Sequence, residues 1–142
     1  MLHAPTRKSV ALFGAVNIRT GKLVTMLIPT FDAEAFEAFL KLLLRHRKRS
    51  GKTVVVLDNA SYHKRSALPT HLQAGPHRVG LDYLPPYSPD LNPIERVWKL
   101  LRYLCLHNQY FPDLELLVDA VCSQLKIWAQ PNSTLLRLCA IT

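Results

Sequence analysis

Two carboxylates stand where the sequence predicts side-chain chemistry. Asp58 directly follows the apolar run 54–57, which is typical of a buried strand, and Glu95 follows a stiff, proline-rich loop in the first turn of a predicted helix. Close carboxylates repel each other unless a cation lies between them, and Mg²⁺ and Mn²⁺ prefer oxygen ligands. The pair therefore predicts a metal-dependent nuclease site, in which divalent ions stabilise the charge that develops on phosphate oxygens.

The residues around these carboxylates form two longer motifs. One is Asp58-Asn59-Ala-Ser-Tyr-His63, and the other runs Tyr87-Ser-Pro-Asp-Leu-Asn-Pro-Ile-Glu95. Together they resemble the catalytic domain of DDE transposases, in particular the mariner-like group of bacterial insertion sequences. The resemblance implies an α/β chain with an RNase H-like fold, in which a mixed sheet with flanking helices forms a single domain over residues 1–142. It also implies Mg²⁺ or Mn²⁺ bound by Asp58 and Glu95, and DNA as the partner, both at the transposon ends and at the target.

Each carboxylate also has an ordinary structural interpretation. Asn92-Pro-Ile-Glu95 fits a capping box, with Asn92 as the helix N-cap and Glu95 reaching back to a backbone N–H. Asp58 followed by Asn59 fits a turn or a cap after a strand. The match to the two motifs favours a metal-ligand role for Asp58 and Glu95 over these alternatives.

Four other residues are candidates for DNA contact. Asn59 would orient Asp58 or bind phosphate, whereas His63 is either an exposed helical residue, a support for the site or a DNA contact. Lys99 and Arg102 lie four and seven residues after Glu95, so they share a helix face with it. They form either ordinary surface ion pairs, worth about 0.3–0.5 kcal/mol each, or a track for phosphates beside the metal ions.

The predicted elements follow the order expected of an α/β domain. Ser9 to Ile18 and Leu23 to Ile28 predict a hairpin, and a helix with Asp32 as its N-cap follows. The remaining predicted elements are a strand covered on both faces (Thr53 to Leu57), a short helical stretch (His63 to Leu72), a strand (Val79 to Leu84), and two helices (Pro93 to His107 and Asp113 to Trp128).

The composition predicts a folded, basic protein. Hydrophobic residues make up 49% of the chain and charged residues 20%, which argues against a mainly disordered segment. Eighteen Lys and Arg against ten Asp and Glu give a net charge of +8, which favours a polyanionic partner such as DNA. The three cysteines have no paired spacing and are interpreted as core residues. Without a signal peptide or a spanning apolar run, we expect a cytoplasmic protein with no membrane partner.

Two features of the family are not found in this sequence. The family's first catalytic Asp lies on a central strand ahead of the hairpin, but no Asp or Glu precedes Asp32, and Asp32 fits a helix cap. A helix-turn-helix region that would recognise the element ends is not found either. We therefore expect the first strand to be missing, the edge of the Ser9 to Ile18 strand to be unpaired, and the chain to self-associate, for example as a homodimer.

Three functional hypotheses follow from these departures. In the first, the chain is part of a transposase whose upstream half, with the first Asp, comes from a separate or frameshifted reading frame. In the second, it is a catalytically dead remnant that folds or binds nucleic acid without cutting it. In the third, it is an interaction module that pairs a partner strand with its hairpin edge. In each case we expect little or no strand transfer by this chain alone.

Overall fold

The computed structural model describes residues 2–3, 9–47, 50–58, 60, 63, 67–86, 88 and 91–140. These residues form a mixed α/β structure, as the sequence predicted. They divide into two compact units, here called the terminal unit (Met1–Thr30 with Pro93–Thr142) and the central unit (Phe31–Asn92). Within the described ranges, no helix is long and apolar enough to cross a membrane.

The terminal unit contains an antiparallel sheet with the order β1-β2-β3, in which β1 is Leu2–His3, β2 is Ser9–Val16 and β3 is Leu23–Ile28. The predicted hairpin is confirmed, since β2 pairs with β3 from Ala11 opposite Ile28 to Val16 opposite Leu23. The expectation of an unpaired β2 edge is wrong at its start, because β1 pairs there with Ser9 and Val10. Ala11 in β2 is fully buried.

Three helices complete the terminal unit: α2 (Ile94–Cys105), α3 (Leu114–Trp128) and α4 (Ser133–Leu138). The first two were predicted, and their buried residues form stripes at helical spacing that pack in one core with the hairpin. Asp113 caps α3 by accepting a hydrogen bond from Leu116 N at 2.9 Å. The buried stripe residues are Val97, Leu101 and Cys105 on α2, and Leu117, Val121, Leu125 and Trp128 on α3.

Helix α4 was not predicted from the sequence. Asn132 caps it, accepting from Leu135 N at 2.8 Å, and the same side chain donates to Gly21 O in the hairpin turn at 2.9 Å. Gly21 has φ 77°, and a Cβ there would collide with the Asn132 carbonyl oxygen, so this turn requires glycine. Leu135 and Cys139 are fully buried. The helix is therefore part of the core of this unit.

The central unit pairs helix α1 (Ala33–Arg45) with a two-stranded parallel sheet, β4 (Thr53–Leu57) and β5 (Val79–Tyr83). Asp32 caps α1 as predicted, accepting from Ala35 N at 2.7 Å. The prediction that β4 is covered on both faces is wrong, because Val54 and Val56 are 50% and 46% exposed. Side chains alternate between the two faces of a strand, and only one face of β4 is packed.

The remaining differences concern the region between β4 and β5 and the sheet as a whole. Residues 64–66 of the predicted helical stretch lie outside the described residues, and a short 3-10 helix, Thr70–Leu72, lies at the end of that stretch. The described strands form a three-stranded antiparallel sheet and a two-stranded parallel sheet, so one continuous mixed sheet is not confirmed. The assignment of a single RNase H-like domain stays a prediction.

Candidate metal centre

Asp58 stands directly after the last residue of β4, at the carboxyl end of a parallel strand pair. Leu57 lies opposite Tyr83 in the register, and Leu84 N donates to Leu57 O at 2.8 Å, so the ladder continues to the residue before Asp58. Ligand sites of α/β sheets commonly lie beyond this end of the strands. The Asp58 side chain is 46% exposed, which leaves it accessible to a ligand from solvent.

His63 contacts Asp58 directly. Its Nδ1 lies 2.8 Å from Asp58 Oδ1 and 3.1 Å from the Asp58 backbone oxygen. The Ala60 backbone N–H also donates to Oδ1, at 3.2 Å. Both hydrogen bonds therefore fall on the same oxygen of the carboxylate, and they fix its orientation. The His63 side chain is only 11% exposed, so it is not the exposed helical residue that one alternative predicted.

Two residues from other elements of the central unit hold His63. Tyr83 Oη donates to the His63 backbone oxygen at 2.6 Å, and the Phe36 ring of α1 lies with its centroid 4.7 Å from that of the imidazole. The sequence reasoning missed both. The available signal was that aligning the starts of the two predicted strands, Thr53 with Val79, places Tyr83 beside Leu57, next to Asp58.

Glu95 is the second residue of α2, where it is partly buried. The predicted capping box is not formed as proposed, because the residue at the N-cap is Pro93, which makes no side-chain capping hydrogen bond, and not Asn92. A carboxylate in the first turn still interacts favourably with the positive end of the helix dipole. Trp98 and the buried Val97 hold this end of α2 against the core of the terminal unit.

Lys99 and Arg102 are exposed on α2. Within the described ranges, neither lies within ion-pair distance of Glu95, and the one pair between a lysine or arginine and a carboxylate is Lys41 with Glu37 at 3.4 Å. The interpretation of Lys99 and Arg102 as ordinary surface partners of Glu95 therefore has no support in the structure. Their side chains face solvent on the helix that carries Glu95.

The candidate residues divide between the two units. Asp58 and His63 lie together in the central unit, whereas Glu95, Lys99 and Arg102 lie on one helix of the terminal unit. Asn59 lies outside the described residues. No group of three or more His, Cys, Asp or Glu side chains with metal-binding geometry occurs in the described part of the chain.

The donor set at Asp58 fits a hard divalent cation. Mg²⁺ and Mn²⁺ take carboxylate oxygens, and metal-binding carboxylates are usually held by a hydrogen bond from a neighbouring group. At Asp58 the imidazole and the Ala60 N–H supply such bonds to Oδ1. Asp32, in contrast, is engaged as the cap of α1 and is not available as a third acid.

The amino-acid sequence of the chain matches a known protein family. Residues 2–118 match the family described as DDE superfamily endonuclease, and the chain belongs to that family. Endonucleases of this family normally use a divalent metal, and the domain implies DNA as its substrate.

A relative is known from a bacterium. The chain is 35% identical over 112 residues to the "Uncharacterized protein y4pE/y4sA" of Sinorhizobium fredii (strain NBRC 101917 / NGR234), and the alignment covers 79% of each chain. No solved structure matches the chain significantly.

Proposed function

We propose that this chain is the catalytic part of a transposase of a mariner-like bacterial insertion sequence, and that Asp58 and Glu95 bind Mg²⁺ or Mn²⁺ for cleavage and joining of DNA. The observation that carries the proposal is the family match, because residues 2–118 include both carboxylates and both surrounding motifs. The fixed orientation of the Asp58 carboxylate at a strand end supports it.

Each residue has a defined part in this proposal. Asp58 and Glu95 contribute carboxylate oxygens as ligands, and the first turn of α2 limits the positions that Glu95 can take. When bound, the divalent ions stabilise negative charge on the attacking and leaving oxygens of the phosphodiester. Asn59, directly after Asp58, orients that carboxylate or contacts a DNA phosphate.

Lys99 and Arg102 are proposed to bind the DNA backbone on the exposed face of α2. Both are exposed, and neither forms an ion pair with a carboxylate among the described residues. The net charge of +8 favours DNA by release of counterions from phosphate. Contacts of this kind position the duplex and carry no sequence information, so recognition of the element ends requires other residues.

A complete centre needs a carboxylate beyond the two proposed ligands. Residues 1–31 contain no Asp or Glu, and Asp32 caps α1. The proposal therefore assigns the third carboxylate to an upstream transposase half outside this sequence, and it assigns little or no strand transfer to this chain alone. Strong Mg²⁺-dependent cleavage by this chain that is lost in Asp58→Ala would overturn this assignment.

Binding of Mn²⁺ to the chain, measured by calorimetry and by the loss of the free-ion electron paramagnetic resonance signal, tests the proposed ligands. Asp58→Asn and Glu95→Gln are expected to weaken Mn²⁺ binding by at least roughly tenfold, about 1.4 kcal/mol. The control for Glu95 is Glu115→Gln, because Glu115 is also the second residue of a helix in the terminal unit. The control for Asp58 is Asp82→Asn, on the neighbouring strand β5. Equal Mn²⁺ affinity in all four variants would refute the proposal.

A further inference from the structure

Three side chains around Asp58 form a connected cluster to which the proposed function gives no metal-binding role: His63, Tyr83 and Phe36. We infer that His63 is a positioning residue, which holds the Asp58 carboxylate for the cation and is itself held by Tyr83 and Phe36. This inference rests on the proposed role of Asp58 as a metal ligand. It assigns His63 a role in orienting that ligand in place of direct contact with DNA.

The contacts of the imidazole define what it does. Its Nδ1 lies 2.8 Å from Asp58 Oδ1 and 3.1 Å from the Asp58 backbone oxygen. Both partners are acceptors, so Nδ1 must carry the hydrogen. One N–H that bridges the carboxylate and the main chain of the same residue restricts rotation of that side chain. The Ala60 N–H on Oδ1, at 3.2 Å, restricts it further.

Residues of α1 and β5 fix His63 in turn. Tyr83 is the last residue of β5, and its hydroxyl donates to the His63 backbone oxygen at 2.6 Å. Phe36 of α1 is buried, and its ring is tilted by 46° to the imidazole at a centroid distance of 4.7 Å. The position of His63 is therefore coupled to the strand that pairs with β4 and to the helix of the same unit.

The exposure of the two side chains separates this role from a DNA contact. His63 is 11% exposed and packs on Phe36, so it offers little surface to a phosphate, whereas Asp58 is 46% exposed. An exposed carboxylate without a fixed orientation loses rotational freedom when it binds a cation. Groups that hold a ligand in this way typically contribute about 10–100-fold to metal affinity.

Two substitutions that differ in donor position test the inference. In His63→Asn the side-chain amide nitrogen lies near the place of Nδ1, whereas in His63→Gln it lies near the place of Nε2. We expect His63→Gln to weaken Mn²⁺ binding by roughly 10–100-fold and His63→Asn to restore much of that affinity. Tyr83→Phe is expected to give a smaller loss, because it removes only the hydroxyl that holds His63. His71→Gln, an exposed histidine of the same unit, is the control and should be unchanged.

The outcomes separate this inference from the proposed function. If Asp58→Asn weakens Mn²⁺ binding but His63→Gln does not, the inference is overturned while the proposed function stands. If Asp58→Asn has no effect, the metal-ligand role of Asp58 fails, and the inference fails with it. Equal losses in His63→Asn and His63→Gln would also contradict positioning through Nδ1.

A measurement on the unaltered chain does not depend on whether the variants fold. Long-range ¹H–¹⁵N correlation spectra report which imidazole nitrogen carries hydrogen, and through-bond correlation of each ring with its own backbone amide identifies the signals of His63. The inference requires a protonated Nδ1 at His63. An Nδ1 without hydrogen would overturn it, because the contact with Asp58 would then join two acceptors.

Discussion

Gly14 of β2 lies against α2, the helix that carries Glu95. Replacing Gly14 by alanine has two opposing effects on the free energy of unfolding. A Cβ at Gly14 would lie 2.5 Å from Trp98 Cζ2 and closer still to Cη2. The ring would have to retreat by about 1 Å to reach ordinary contact distance. Trp98 packs on the core of the terminal unit, so Gly14→Ala displaces α2 as well as one side chain.

The two effects differ in size. Replacing a strand glycine by alanine restricts the unfolded chain, which stabilises a compatible site by about 0.4–1 kcal/mol. Forcing an atom into a packed core costs about 1–3 kcal/mol. We therefore expect Gly14→Ala to lower the free energy of unfolding by about 1–2 kcal/mol. Gly80 on β5 is the matched control, since a Cβ there meets nothing within 4 Å, and Gly80→Ala should be neutral or slightly stabilising.

Urea titration measures this difference. Tryptophan fluorescence reports on the terminal unit, because Trp98 and Trp128 both lie in it, and far-ultraviolet circular dichroism follows the whole chain. Trp98→Phe removes the two ring atoms that approach Gly14, so Gly14→Ala should lose its cost in that background. A Gly14→Ala variant as stable as Gly80→Ala, or an equal cost in both backgrounds, would refute the packing argument.

Three other predictions concern DNA binding, α4 and the thiols. Replacing Lys99 and Arg102 by Gln should reduce the slope of log affinity for duplex DNA against log salt concentration by roughly 2, as measured by fluorescence anisotropy. An unchanged slope would show that these two side chains of α2 do not contact DNA phosphates. Leu135→Ala should cost about 2–5 kcal/mol in urea unfolding, because Leu135 is fully buried, and a loss below about 1 kcal/mol would contradict its place in the core. Burial raises the pKa of the Cys139 thiol, so iodoacetamide at about pH 8 should label the partly exposed Cys122 first. Labelling of Cys139 ahead of Cys122 would contradict this buried environment. The raised pKa also makes stability depend on pH: the stabilising contribution of the neutral Cys139 thiol is fully present below the ordinary thiol pKa of 9.0 and is lost as pH rises through the raised pKa.

The elements that local pattern defines were predicted well from the sequence. Helices α2 and α3 carry apolar residues at helical spacing, and Asp32 and Asp113 stand where caps are needed, so each segment contains its own signal. The hairpin was predicted for the same reason, and Gly21 lies in its turn.

Features that depend on contacts between distant residues were not predicted. Helix α4 has only six residues and is held by Asn132 on the hairpin turn, a contact that spans most of the chain. The run 54–57 indicated a strand but could not show that only one of its faces is packed. Likewise, the sequence motif identified Asp58 and His63 as candidate site residues. It could not show that their side chains form a hydrogen bond, because that contact depends on the three-dimensional fold.

The central claim is that Asp58 and Glu95 both bind divalent metal ions, and iron-mediated cleavage of the protein backbone tests it most directly. Fe²⁺ replaces Mg²⁺ at carboxylate sites. Bound Fe²⁺ reduces added hydrogen peroxide to hydroxyl radicals, which cut the chain next to the metal ligands, and ascorbate returns the resulting Fe³⁺ to Fe²⁺. We expect one cut near residue 58 and one near residue 95. Excess Mg²⁺ should suppress both cuts, Asp58→Asn should abolish the first, and Glu95→Gln should abolish the second. A cut at only one of these positions, or cuts that persist in excess Mg²⁺ or in the variant of the nearby carboxylate, would contradict the proposed metal ligands.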